Sequence, residues 1–202
     1  MKCVTYSRGY SLIEALVAIA VLMLALVGPI TIAAKSLQSM FFAREQVTAL
    51  YLAQEGIEAI TALRNQYYIE LLDGDGVGDI GTPGVATDQW LQDNFQGGNA
   101  TYRRCAQQGC NFNVTETAPN VEHCVNDNRC FMRQSSSEEG QFYVTSTDEA
   151  DSSYRRVISV TPDSANGLLQ VTVTVEWGSS LFASADNSVT LETTIVDYLR
   201  NF

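Results

Sequence analysis

Residues 8–34 read RGYSLIE (Arg8–Glu14) followed by ALVAIAVLMLALVGPITIAA (Ala15–Ala34), and the second stretch runs for twenty residues without one charged side chain. As a helix rising about 1.5 Å per residue it spans about 30 Å, the thickness of a bilayer's hydrocarbon core, so it reads as a membrane segment. A secretory signal peptide would use Lys2 and Arg8 as its basic end and Ile32-Ala33-Ala34 as its small-residue cleavage site. Its apolar core, however, is usually about 7 to 15 residues. This run is longer, contains Gly28-Pro29 and follows directly on an acid, Glu14. A carboxylate at the rim of a membrane segment is costly unless it is neutralised, paired or lifted to the interface, which makes Glu14 a functional candidate. The plainer reading is a signal anchor with Glu14 at the headgroup level.

The order of residues narrows this further. Arg8-Gly9, the aromatic Tyr10, the hydroxyl residue Ser11, the aliphatic pair Leu12-Ile13, Glu14 and then an uninterrupted apolar helix resemble the prepilin N-terminus of type IV pilins and type II secretion pseudopilins. The resemblance implies that a prepilin peptidase cuts between Gly9 and Tyr10 on the cytoplasmic side, N-methylates Tyr10 and leaves the hydrophobic helix in place. Glu14 is then the fifth mature residue and serves assembly. The family most often begins its mature chain with Phe, from which Tyr10 is an aromatic departure. Implied partners are other pilin or pseudopilin subunits, the peptidase and an inner-membrane assembly platform. The implied location is the inner (cytoplasmic) membrane, single-pass, followed by a pilus or pseudopilus. The resemblance covers residues 8–68 well and the remainder in architecture.

Charge and length agree with a structural role. The chain has 202 residues and a formal charge of −11, room for one ordinary domain with an appendage. Removing the leader 1–9, which carries Lys2 and Arg8, takes the charge to −13 and removes Cys3. Such acidity argues against a surface that must neutralise nucleic-acid phosphates. The basic leader keeps the short N-terminal end cytoplasmic and sends the bulk of the chain across the membrane.

Four cysteines remain, Cys105, Cys110, Cys124 and Cys130, spaced C-x4-C, x13, C-x5-C. An even, clustered set on the oxidising side of a membrane reads as two disulfides. Zinc normally takes tighter C-x2-4-C pairs, and His123 sits directly beside Cys124, where joint ligation is awkward. Three connectivities are open, with the local pairs Cys105–Cys110 and Cys124–Cys130 preferred. The polar, periodless stretch between them (Asn111, Asn113, Thr115, Thr117, Pro119) suggests bridges stapling a loop with little core of its own.

Beyond Lys35 apolar residues recur at Leu37, Met40, Val47, Leu50, Ile57, Ile60, Leu63 and Tyr67, while Arg44, Glu45, Gln54, Glu55, Glu58 and Arg64 take other faces. That spacing predicts an amphipathic helix over 35–68, continuing the membrane helix 10–34 for about 90 Å in all. Pro29 removes one backbone donor and predicts a kink or local melting. Pilins resemble this layout, with the first half of the helix in the membrane or filament core and the second half on a sheet. The run YLAQEGIEAI (Tyr51–Ile60) is similar to the same stretch in minor pilins and pseudopilins.

The C-terminal part, 141–202, supplies the sheet. Leu169, Val171, Val173, Val175 and Trp177 alternate with polar neighbours, as do Val189, Leu191, Thr193 and Ile195, the pattern of half-buried strands. Gln141–Thr147 and Tyr154–Thr161 are weaker candidates, and the turn segments Pro162-Asp163 and Asn166-Gly167 link them to the strong pair. The fold class expected is α+β: a long N-terminal helix packed on an antiparallel sheet of about four consecutive strands.

Residues 69–140 read as an irregular loop region with a short helix over Ala86–Phe95. Its Asp73-Gly-Asp75-Gly-Val77-Gly-Asp79 places acids at alternate positions among glycines, resembling the later part of a calcium loop, and pseudopilins have calcium sites in loops near the sheet. Leu71 occupies the first ligand position and the terminal Glu is absent, so a solvated acidic turn competes with calcium at Asp73, Asp75 and Asp79. No other cofactor is expected.

Enzymatic readings lack residues. One His beside a disulfide cysteine leaves no Ser-His-Asp or Cys-His arrangement, and no phosphate loop is present. Glu138-Glu139 reads as a solvated turn, and the tripeptides at Asn99 and Asn113 arise often by chance. The reading is therefore a structural subunit, minor rather than major on the strength of the irregular loop region and the Tyr51–Ile60 match, of a type IV pilus or type II secretion pseudopilus. A membrane-anchored extracytoplasmic binding module or adhesin, using the disulfide loop, is the competing reading.

Overall fold

The computed structural model describes residues 11–72, 89–97, 102–113, 120–124, 130–137, 140–146, 154–178 and 187–196. The chain divides into one unit ending at Arg44 and a second from Glu45 to Phe202. Helix α1, Leu12–Leu72, is 61 residues long and contributes to both.

In the first unit α1 begins with a local cap. Ser11 Oγ accepts the backbone N–H of Glu14 at 3.3 Å, satisfying one of the donors that a helix start leaves without an intrahelical partner. From Leu12 onward the large apolar side chains are exposed, Leu12, Leu24 and Met40 among the most so. A helix apolar on every side belongs in a lipid or protein environment, and this one is long and apolar enough to cross a membrane. α1 stays helical through Gly28 and Pro29, so the local melting expected there is not observed. The Thr31 hydroxyl donates to the Gly28 carbonyl at 2.8 Å, one residue from the proline that lacks an N–H.

In the second unit the Glu45–Leu72 part of α1 packs on an antiparallel sheet. The sheet has seven described strands: β1 (Cys110–Asn113), β2 (Asn120–His123), β3 (Phe131–Ser137), β4 (Gly140–Ser146), β5 (Tyr154–Asp163), β6 (Leu168–Trp177) and β7 (Asn187–Val196). β6 lies between β5 and β7 and pairs with both over its full length. The other edge of β5 is shared: β3 meets it at Arg155 and Tyr154, and β1 at Ile158 alone. β4 lies outside β3, and β2 outside β1.

This corrects the expectation of about four consecutive strands. Three further strands, β1 to β3, arise within the stretch read as irregular, and β4 neighbours β3 instead of β5. β1 and β2 are four residues each and β3 ends in Ser135-Ser136-Ser137, so neither length nor alternation announces them; backbone pairing and the disulfides hold them. The helix expected over Ala86–Phe95 is described as a short α2 (Gln89–Leu91) running into a π-helical turn at Gln92–Gln96. A further short helix, α3, spans Arg103–Gln107.

The buried face of α1 holds the expected Ile57, Ile60, Leu63 and Tyr67 but differs from the expected one nearer its start. Ala49, Leu52, Ala53, Gly56, Ala59 and Ile60 face the sheet, whereas Val47 and Leu50 are exposed. The reason is close approach: a Cβ on Gly56 would lie 3.0 Å from Val173 Cγ1 and 3.3 Å from Ile158 Cδ1, so small residues sit where the helix meets the strands. Opposite them, Ile158, Val160, Leu169, Val171, Val173 and Val175 form the sheet's side of the core. Trp90, Phe95, Tyr102 and Phe112 extend that core as a chain of ring contacts with centroids 5.5 to 6.0 Å apart.

Candidate functional site

Two places in the chain concentrate chemistry. At the N-terminus Glu14 is exposed in the first turn of α1, where the helix dipole favours an anion. Ser11 and Glu14 form the S-x-x-E spacing of a capping box, a signal in the sequence that fixes where the helix starts. Gly9 and Tyr10, the residues expected to flank the cut, lie outside the described residues, as do Asp73, Asp75 and Asp79.

The four cysteines are joined locally. Cys105 bonds Cys110, and Cys124 bonds Cys130. The first bridge ties α3 to the first residue of β1, and the second ties the end of β2 to the residue before β3. The Cys124 N–H donates to the Gly109 carbonyl at 3.1 Å, and the Arg156 N–H to the Cys130 carbonyl at 3.0 Å. Both bridges therefore meet on β5. Gly109 has φ +76°, and a Cβ there would lie 2.6 Å from Val157 Cγ1, so the chain enters β1 pressed against β5 where L side chains do not fit.

Between the bridges and α1 lies Arg156, which the sequence reading did not single out. It occupies an inward position of β5, in the series Tyr154, Arg156, Ile158, Val160, and is fully buried. An arginine at a core position of an alternating strand was the available signal. Its Nε donates to Asn111 Oδ1 at 2.7 Å, Nη2 to the Phe112 carbonyl at 2.8 Å and Nη1 to the Leu52 carbonyl at 3.1 Å. Glu55 Oε2 lies 3.3 Å from Nη1 and supplies the counter-charge. The fork geometry of a guanidinium lets one side chain reach β1 and α1 together. Burial pulls the Arg156 pKa below its ordinary value, with Glu55 opposing. Burial likewise raises the Glu55 carboxyl, Arg156 pulls it down and the neighbouring Glu58 adds to the rise. Asn111 is fully buried too, and its Oδ1 also accepts the Phe112 N–H at 3.0 Å.

Arg64, read as facing away, is nearly buried and donates to the Val196 carbonyl at 3.3 Å, fastening α1 to the end of β7. Among the described residues of these two clusters no nucleophile lies beside a base. Arg156 is a structural cation whose donors are turned to backbone and amide oxygens, and the chemistry at hand is attachment of a helix to a sheet.

The profile of the prokaryotic N-terminal methylation motif matches residues 5–28. No curated protein and no solved structure matches the chain.

Proposed function

From a chain that its N-terminal methylation motif and its long helix on an antiparallel sheet mark as type IV pilin-like, we propose a minor structural subunit of a type IV pilus or type II secretion pseudopilus. The carrying observation is continuity: the matched segment 5–28 leads into a helix that runs unbroken from Leu12 to Leu72. A helix removed as a signal peptide would have no reason to continue into the core of the extracytoplasmic domain, where Leu52, Ala53 and Ile60 are buried. In this reading prepilin peptidase cuts after Gly9, Tyr10 becomes the N-methylated first residue, and the apolar part of α1 anchors the chain in the membrane before entering the filament core. The C-terminal domain is extracytoplasmic, in keeping with its two disulfides.

Intact-mass measurement of the chain recovered from membranes tests this reading. The expected species starts at Tyr10 and carries one added methyl group. A species starting at Lys35 overturns the pilin reading in favour of signal-peptide cleavage. Crosslinking to other pilin-like chains through the N-terminal helix separates a filament subunit from an anchored adhesin, which remains alone.

A further inference from the structure

We propose that the Cys105–Cys110 disulfide controls the docking of α1 through Arg156: the closed bond holds Asn111 and Phe112 against the guanidinium, and the guanidinium holds Leu52 and Glu55 of the helix. Arg156 is thus a positioning residue, and the helix–sheet attachment depends on oxidation. The extracytoplasmic setting rests on the function proposed above; the coupling between bridge and helix does not.

Backbone pairing holds β1 to β5 at a single point, Cys110 with Ile158, and the remaining ladder of β1 runs to β2, itself four residues long. The Phe112 ring is seated against Tyr102, whereas Asn111 and the Phe112 carbonyl are set against β5 by the bridge at Cys110 and by Arg156. The bridge fixes Cys110 to α3, which packs against β5. Opening it frees the segment on the side where two acceptors of the guanidinium reside.

Arg156 has no exposed surface, so water does not replace a lost acceptor, and an unsatisfied donor on a buried cation is strongly disfavoured. If Asn111 Oδ1 and the Phe112 carbonyl leave, Nε and Nη2 regain partners only when solvent enters. The cover on the other side is α1 itself, through the Leu52 carbonyl and Glu55. Water admitted from the vacated β1 side then competes for the Leu52 carbonyl and Glu55 contacts, and that competition loosens the helix. The Cys124–Cys130 bridge differs: Cys130 receives the backbone N–H of Arg156, and the bridge reaches the two β1 acceptors of the guanidinium only indirectly, through the β1–β2 ladder.

The chemistry is two-electron thiol–disulfide exchange. A dithiol reductant attacks one sulfur, the S–S bond breaks, a mixed disulfide forms, and the reductant's second thiol closes on it. Two protein thiols and one cyclic disulfide result. The reverse reaction, with an exchangeable disulfide of a thiol oxidoreductase as oxidant, closes the bond.

Hydrogen exchange on the full processed chain in detergent tests the coupling, reading α1 residues 49–63 against the β6 amides at 168–177. Cys105→Ala with Cys110→Ala is expected to speed exchange in 49–63 at least tenfold, with β6 unchanged. Cys124→Ala with Cys130→Ala is expected to leave 49–63 within about twofold of the parent. Arg156→Met abolishes the coupling, so in that background removing the Cys105–Cys110 bond adds nothing in 49–63. An equal rise in 49–63 with or without Arg156, or an equal rise in α1 and β6, overturns the proposal. Should the alanine pair fail to fold, dithiothreitol on the Cys124→Ala, Cys130→Ala chain, with and without Arg156→Met, opens only the Cys105–Cys110 bond and gives the same comparison. Should Arg156→Met fail to fold, Asn111→Ala takes its place. The start of the chain, read by mass on the same samples, reports separately on the pilin reading.

Discussion

The guanidinium of Arg156 donates to the side-chain oxygen of Asn111 at 2.7 Å across 45 positions of sequence, and both residues are fully buried. A hydrogen bond to a buried charged group contributes about 1.5–3 kcal/mol, and removing one partner also leaves the other without solvation. Asn111→Ala is therefore expected to lower unfolding stability by about 2–3 kcal/mol. Asn111→Asp keeps the accepting oxygen and supplies a counter-charge, so at neutral pH it should cost less than the alanine. Urea unfolding of the three proteins, followed by Trp fluorescence, checks the order; equal losses for both variants would refute the role assigned to Oδ1.

Glu55 gives this cluster a pH dependence of a particular sign. Burial raises its carboxyl above the ordinary value, only partly offset by Arg156, so the folded chain holds this proton more tightly than the unfolded chain does. Its contribution to stability is full below the ordinary carboxylate range and is lost as pH rises through the folded value. The stability of wild type relative to Glu55→Gln should consequently fall between the ordinary carboxylate pKa and neutral pH. Denaturation midpoints of both proteins across that range decide it. A difference that is flat with pH, or that grows toward neutral pH, would contradict the assignment.

Gly56 sets how closely α1 approaches the sheet. Alanine there gains about 1 kcal/mol of helix propensity, but its Cβ lands 3.0 Å from the stiff, buried Val173. The two effects should nearly cancel, leaving Gly56→Ala within about 1 kcal/mol of the parent. Gly56→Val adds two methyl groups beyond the alanine with a smaller propensity gain and should cost about 2–3 kcal/mol by overpacking. Thermal or urea unfolding separates the pair, and a Gly56→Val chain as stable as the parent would show that the helix is free to move outward.

How legible each part was in the sequence follows from what holds it. The long helix was readable because the charge-free run Ala15–Ala34 has few structural solutions, and β6 and β7 because their inward residues alternate without error. β1 and β2 were not, since four-residue strands held by bridges and backbone pairing leave no apolar period. Of the buried face of α1, Ile57, Ile60, Leu63 and Tyr67 were read correctly, but Ala49, Ala53, Gly56 and Ala59 were missed because they are small; counting large apolar residues selects Val47 and Leu50, which the structure exposes. Arg156 was visible as an arginine among inward residues of β5, but its partners, brought from 45 and 104 positions away, are a property of the fold. Ser11 was read only as the hydroxyl of the N-terminal motif, although its S-x-x-E spacing with Glu14 signals a cap, whereas Glu14 stood out as an acid beside the apolar run and carries the last expectation.

Cleavage after Gly9 would give Tyr10 a free or methylated ammonium group, four residues ahead of Glu14. In the low dielectric of a filament core each charge alone is penalised, and pairing offsets part of that desolvation. The ammonium can be met by Glu14 of its own chain or of a neighbouring subunit, and only the second sets axial register on assembly. Glu14 is exposed in the first turn of α1. Under the proposed processing, in which the peptidase recognises chiefly the glycine, Glu14→Ala is expected to be cut after Gly9 to the same extent as the parent. Its recovery in sheared or crosslinked filaments should fall by about tenfold or more, since an unpaired buried charge costs about 3–5 kcal/mol. Intact mass reads the first quantity, and filament recovery at equal membrane levels reads the second. Equal recovery of parent and variant would show that Glu14 does not drive assembly, whereas a loss of cleavage would place its role at the peptidase.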